Sequence, residues 1–146
     1  MPLKSHENVC VFYESKPTYQ PQMTEGKPYA AFSTQNKATI GEVYGNLKSR
    51  HSENCGTRYP KSVLRFAQER ELHPTQKPVA LLEYLIRTYT NEGDTVLDSC
   101  MGSGSTAIAC MRTGRRFIGI EKDPIYFEVS CQRVKDEQRQ GKLFTI

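Results

Sequence analysis

Apolar positions fall into a tight pattern in the second half of the chain and a loose one in the first. Leu82, Leu85, Ile86 and Tyr89 recur at the i, i+3, i+4, i+7 spacing of one helical face. Pro78 stands at the first turn of that helix, where a missing N–H costs nothing, and Asn91, Glu92 and Gly93 end it. Thr95, Val96 and Leu97 form a short β-branched, apolar run of the kind expected of a buried parallel strand. A Gly-x-Gly turn follows at Gly102 and Gly104. Ala107 to Met111 has helical composition, and Gly114 supplies a stop where φ can turn positive. Phe117 to Ile120 is a second buried strand, ending at Glu121. The order strand, glycine turn, helix, strand, acid predicts one βαβ unit of a nucleotide-binding sheet. Asp123 then caps a last helix with Pro124 at its first position. Phe127, Cys131 and Val134 share a face of it, the polar run Lys135 to Lys142 is expected to fray, and Leu143 to Ile146 is a short apolar tail.

The first half is different. Asn8 to Tyr13 is rich in β-branched and aromatic residues and reads as a strand. From Glu14 to about Pro60 neither periodicity dominates, which predicts irregular structure over about 45 residues. That is longer than an ordinary loop in a compact domain, and such segments are usually functional or disordered. Lys16, Tyr19, Lys27, Tyr29, Lys37, Tyr44, Lys48, Arg50, Arg58 and Tyr59 interleave base and ring along it. Such side chains contact phosphates and stack on bases; a solvated loop with its tyrosines packed down is the plainer alternative. Ser62 to Phe66 is a short apolar segment, strand or turn.

Charge sharpens this division. The net charge is +4. Eleven Lys or Arg face seven acids up to Lys77, and nine face nine from Pro78 onward, so the surplus precedes the βαβ half. A basic excess on one side suits a polyanionic partner, and solvated surface charge explains it nearly as well. The five cysteines are an odd, widely spaced set without a Cys-x-x-Cys pair, and read as reduced cytoplasmic thiols. His51 and Cys55 make at most half a zinc site, so no metal is expected. Neither a membrane-spanning apolar run nor a secretory signal is present in the sequence.

The βαβ unit carries the candidate chemistry. Gly102 and Gly104 let backbone approach a ligand where a Cβ collides. Ser105 and Thr106 sit where the helix begins, beside free N–H groups and the positive end of its dipole. Glu121 lies 19 residues after Gly102, the spacing of an acid that accepts ribose hydroxyls. Gly102, Gly104 and Ala107 also satisfy the dinucleotide fingerprint, so NAD is a candidate, as is a tight turn with no ligand.

Leu97 to Thr106 resembles the cofactor motif of the amino-methyltransferases that modify DNA. His73-Pro74-Thr75-Gln76-Lys77-Pro78 resembles the motif just upstream of it in the β-ordered class of these enzymes. Arg116 to Glu121 and Asp123 to Phe127 resemble the segments that follow, so the resemblance covers roughly residues 60–135. Asn8 to Tyr29 and Tyr59 to Phe66 are also similar to such enzymes from phages and restriction–modification systems. The resemblance implies S-adenosyl-L-methionine (SAM) in place of NAD. It implies that Asp98 and the backbone from Cys100 through Gly102 and Ser103 to Gly104 hold the methionine part, with Thr106 nearby and Ser99 counted among the cofactor-binding residues. Glu121 takes the ribose hydroxyls, and Thr75, Gln76 and Lys77 line the pocket near the cofactor carboxylate. His73 is given only a packing role where the helix starts.

The family's catalytic motif is Asp, Asn or Ser followed by Pro-Pro and an aromatic, and this sequence has no Pro-Pro. Asp123-Pro124-Ile125-Tyr126 is a decoy, explained by helix capping, so no catalytic residue is assigned. The expected fold is α/β: a partial Rossmann-like, class I methyltransferase sheet with an irregular, loop-rich N-terminal part. The resemblance places a strand of the methyltransferase sheet at 1–13, part of a target-recognition region at 14–66 and the SAM-binding part at 67–146. The implied function is the SAM-binding portion of a site-specific DNA methyltransferase acting on adenine N6. Cytosine N4, an inactive SAM- or DNA-binding remnant, and an NAD-linked oxidoreductase are the alternatives. Expected partners are double-stranded DNA and either a second copy or a separate chain bearing the catalytic half, because a partial sheet has an open edge and bare apolar faces.

Overall fold

A computed structural model of the chain describes residues 6–33, 50–69 and 72–143. They form two compact units, Pro21–Leu64 and a second built from the chain up to Gln20 together with Arg65 onward.

In the Pro21–Leu64 unit, four short strands form two antiparallel pairs where irregular structure is expected. β1 (Thr24–Glu25) pairs with β4 (Thr57–Arg58), and β2 (Tyr29–Ser33) pairs with β3 (Arg50–Asn54), Tyr29 standing opposite Asn54. Local pattern misses them because β3 is almost wholly polar and its partner lies far away in sequence. Side-chain bonds replace strand propensity here. Asn54 Oδ1 accepts the Gly56 N–H at 2.9 Å, and Asn54 Nδ2 donates to the Thr57 carbonyl at 2.8 Å. Gly56 has φ +103°, a conformation that other residues rarely adopt. The Arg58 guanidinium lies 4.7 Å from the Tyr29 ring centre and also donates to Asn54 and the Lys27 carbonyl. Two of the candidate base-stacking groups thus hold each other. Lys37, Tyr44 and Lys48 lie outside the described residues.

The second unit opens with residues 6–20, and Asn8 to Tyr13 is coil where a strand is expected. A β-rich run becomes a strand only beside an edge that accepts it, and no described strand pairs with this one. Phe12 is accordingly 91% exposed. Ser62 to Phe66, which straddles the boundary between the units, is coil and bend. Tyr19, another stacking candidate, leans on Tyr89, the ring centres 6.1 Å apart.

The remainder of this unit follows the predicted order. α1 (Val79–Tyr89) is followed by β5 (Thr95–Asp98), α2 (Ser105–Arg112), β6 (Arg116–Gly119) and α3 (Pro124–Leu143). Glu69 Oε1 accepts the Val79 N–H at 3.1 Å, occupying a donor that the helix itself leaves free. Gly93 and Gly114 reverse the chain with φ +82° and +72°. β5 and β6 run parallel, with Val96 beside Phe117 and Leu97 beside Ile118. Val96 and Phe117 turn inward, against Val79 and Ile86 of α1 and Ile108, Ala109 and Cys110 of α2, with Val134 of α3 at the margin. Burial pushes the Cys110 thiol up to about 11, so it packs as a small apolar group.

The other sheet face corrects one expectation. β5 and β6 are half-buried, not buried: Leu97 is 63% exposed and Ile118 55%. Among the described residues, helices cover only one side of these two strands, while the residues on both sides are apolar, the composition of strands covered on both faces.

α3 departs from expectation twice. It stays helical through Leu143, supported by Gln132 donating to Asp136 at 2.9 Å and by a two-pronged Arg112–Glu137 pair at 2.6 and 2.9 Å. The hydrogen bonds from Arg112 hold the Glu137 carboxyl below its usual range. Its docking face is also more polar than expected, although Val134 of the predicted face does pack on the core. Ser130 is buried and Arg133 and Glu137 are partly buried, whereas Phe127 is 44% exposed. The cause is Gly104, whose missing Cβ lets the backbone of α3 come close at Ser130. Residues 144–146 of the predicted apolar tail lie outside the described residues. No described helix is long and apolar enough to cross a membrane.

Candidate cofactor-binding site

Parallel strands deliver ligand-binding groups at their carboxyl ends. Here β5 ends in Asp98 and the chain after β6 leads to Glu121. Between them the turn at Met101–Gly104 folds back onto the sheet. The Met101 N–H donates to the Ile120 carbonyl at 3.0 Å, and the Gly104 N–H donates to the Met101 carbonyl at 2.9 Å. Gly102 and Gly104 take φ +52° and +77°, which only glycine adopts freely.

A cavity of about 470 Å³ opens over this turn. Asp98, Cys100, Gly102, Ser103, Thr106 and Glu121 line it from the βαβ side. Thr75, Gln76 and Lys77 line it from the segment before α1. Nine of the eleven predicted residues therefore surround one space. The other two stand outside it: Ser99 lies on an exposed turn, and Gly104 sits beneath the glycine turn against Ser130. Four further residues line the cavity: His73, Leu82, Met101 and Ser105. Met101 and Ser105 flank the glycines, and Leu82 belongs to the apolar stripe of α1, so their pattern announces a turn and a core rather than a wall.

The carboxylates are already in use. Asp98 Oδ1 accepts the Cys100 N–H at 3.0 Å, and Oδ2 accepts the Thr106 hydroxyl at 2.5 Å. Glu121 Oε1 accepts the Asp123 N–H at 2.9 Å, and Oε2 accepts the Gly102 N–H at 2.8 Å. These bonds, Asp123 foremost and Gly102 next, hold the Glu121 carboxyl below the usual glutamate range. Each oxygen keeps a further lone pair, so an ionised Glu121 braces the turn and still accepts from a ligand.

The opposite wall is organised by His73. Its Nδ1 accepts the Thr75 N–H at 3.1 Å, which puts the ring proton on Nε2. A Cβ on Gly102 meets the imidazole at 3.7 Å, and the ring meets Tyr126 edge-on with centres 4.2 Å apart. His73 thus forms part of the wall, more than the packing role expected of it. Lys77 Nζ pairs with Glu7 at 2.8 Å. Asp123 Oδ1 accepts the Ile125 N–H at 2.8 Å and the Tyr126 N–H at 3.3 Å, as the capping reading expects. A shallower hollow of about 400 Å³ in the other unit, beside Tyr29 and Cys55, contains none of the predicted site residues.

Comparison with known proteins gives a consistent set of relatives. Residues 2–132 match the family described as DNA methylase, N6/N4 type. A stretch of 65 residues is 48% identical to the Type II methyltransferase M2.DpnII of Streptococcus pneumoniae, covering 44% of this chain and 24% of that protein. A stretch of 63 residues is 48% identical to the Type II methyltransferase M.BglI of Bacillus subtilis, covering 43% of this chain and 18% of that protein. The matched stretches span about a quarter or less of the length of these curated relatives. Among solved structures, the M1.HpyAVI–SAM complex aligns with a TM-score of 0.48 at 28% identity, over 76% of this chain and 62% of that one.

Proposed function

The chain belongs to the DNA methylase family, the amino-methyltransferases of the β class, and on that premise we propose that its cavity is the SAM pocket of a site-specific DNA methyltransferase. The observation that carries this is the convergence of Asp98, Glu121 and the Gly102 turn with Thr75, Gln76 and Lys77 around one space of about 470 Å³. That volume lies within the roughly 300–1,000 Å³ of small-molecule sites.

The charges in the cavity suit this ligand. Asp98 and Glu121 face it as carboxylates, while Lys77 is paired with Glu7. Such a wall repels a pyrophosphate and favours a ligand bearing sulfonium and ammonium charges, which supports SAM over NAD. Glu121 takes the ribose hydroxyls on its remaining lone pairs. Asp98 and the turn from Cys100 to Gly104 hold the methionine part, with Ser99 and Gly104 acting through the backbone they shape and Thr106 fixing the Asp98 carboxylate. Thr75, Gln76 and Lys77 stand on the side of the ligand carboxylate, Lys77 exchanging Glu7 for it. When bound, SAM supplies an activated methyl on its sulfonium.

The substrate is double-stranded DNA, and the acceptor is the exocyclic amine of adenine, N6. Such an amine is reached only when its base leaves the stack. A Pro-Pro catalytic motif does not occur in these 146 residues, so the base pocket is supplied by residues outside them, on a separate chain or on a further stretch of a longer one. The bare sheet face at Leu97, Ile118 and Ile120 supports such an association.

Transfer of labelled methyl from SAM to mixed-sequence DNA tests this. The chain alone is expected to give background incorporation. Incorporation well above background contradicts the missing-motif reading and returns Asp123 to Tyr126 to consideration. In a complemented reaction, product analysis separates N6-methyladenine from N4-methylcytosine.

A further inference from the structure

Thr75–Lys77 and Gly102–Thr106 face each other across the cavity from distant parts of the chain. A circuit of four side chains joins them. Glu69 Oε2 accepts from Gln76 Nε2 at 3.1 Å, while Oε1 accepts the Val79 N–H at 3.1 Å. The same Glu69 Oε2 lies 3.8 Å from Arg133 Nη2. Arg133 Nη1 donates to the Ser105 hydroxyl at 3.0 Å and to the Ser103 carbonyl at 3.3 Å. Ser103 Oγ reaches Gln76 Oε1 at 3.5 Å and closes the ring.

Neither Glu69 nor Arg133 lines the cavity. Arg133 stands on the polar face with which α3 docks, one turn beyond Ser130, and its side chain is only 21% exposed. We infer that Glu69 and Arg133 are positioning residues for the cofactor site, a clasp that sets the distance between its two walls. The inference rests on reading the cavity as the cofactor pocket. Arginine suits the task because its planar fork serves several acceptors at once, which a lysine ammonium at that distance does not. Fixing the Ser103 carbonyl orients the peptide between the two glycine turns, and fixing Ser105 orients the first turn of α2.

The test is a calorimetric titration of the full 146-residue chain with SAM, for the wild type, Glu69→Gln, Arg133→Gln, Arg133→Lys and the Glu69→Gln/Arg133→Gln double variant. Each Gln variant is expected to weaken binding by about tenfold, with the double variant no weaker than Arg133→Gln alone, because both break one clasp. Arg133→Lys is expected to recover part of the loss. Wild-type affinity in the single variants overturns the inference. So does a double variant whose loss is the product of the two single losses, since independent structural effects multiply. Glu69→Gln keeps its size and the acceptor for Val79, so it remains informative if Arg133→Gln fails to fold. A wild type that binds no SAM overturns the cavity reading and this inference with it, an outcome distinct from binding that the variants leave untouched.

Discussion

Gly104→Ala is expected to lower stability by about 2–5 kcal/mol. Two costs combine. Gly104 has φ +77°, in the left-handed region where a non-glycine residue loses roughly 1–2 kcal/mol. Its Cβ meets Ser130 Cβ at 2.9 Å and Ser130 Cα at 3.3 Å. Those atoms belong to the backbone and first side-chain carbon of α3, not to the end of a flexible side chain, so the helix itself must move. Overpacking of that kind costs roughly 1–3 kcal/mol more. Gly93→Ala is the control. Its φ is +82°, yet nothing lies within 4 Å of the added Cβ, so it bears the backbone cost alone, roughly 1–2 kcal/mol. Urea unfolding followed by far-UV circular dichroism reads the difference. Equal losses at the two positions contradict the close docking of α3 on the glycine turn.

Glu121→Ala is expected to weaken SAM binding by about a hundredfold, and Glu121→Gln by about tenfold, with the fold retained in both. The carboxylate does two jobs. It accepts the Gly102 and Asp123 N–H groups, and in the proposed reading its remaining lone pairs receive the ribose. Alanine removes both jobs. Glutamine keeps one carbonyl oxygen but presents an NH₂ where an N–H must be accepted. The pH dependence follows from the direction of the shift. The Glu121 pKa is lower in the folded chain than its ordinary value of 4.5. Its contribution is therefore fully present above 4.5, and is lost as pH falls through the depressed folded value. Calorimetry against pH is expected to show an affinity term that is flat through neutrality, falls only in acid, and is absent from Glu121→Gln. A wild-type affinity that already declines between pH 7 and 5, with Glu121→Gln declining in parallel, assigns the ribose to another group.

The βαβ unit was legible because each part is local. Thr95 to Leu97, the glycines and Phe117 to Ile120 each state their conformation within a few residues, and 19 residues is the length of one crossover. Other features depend on distant partners. The strand pairs of Pro21–Leu64 rest on Asn54, Gly56 and Arg58 side-chain bonds and not on an alternating pattern. Asn8 to Tyr13 has strand composition, but composition cannot supply an edge to pair with. The docking of α3 is set partly by a missing atom at Gly104, so Val134 of the expected apolar face reaches the core while Phe127 stays exposed. Nine of the expected residues fall around one cavity because two motifs carry them. Glu69 and Arg133 belong to neither motif, and only the fold brings them to Gln76 and Ser103. His73 lay within a recognised motif, yet its contact with Gly102 crosses between the two motifs, so neither announces it.

Calorimetric titration of the chain with SAM, and separately with NAD, tests the central claim most directly. Saturable binding of one SAM per chain, with no heat from NAD under the same conditions, is the predicted result. Tighter binding of NAD, or no binding of SAM, contradicts the assignment of the cavity between Asp98, Glu121 and Thr75 to Lys77.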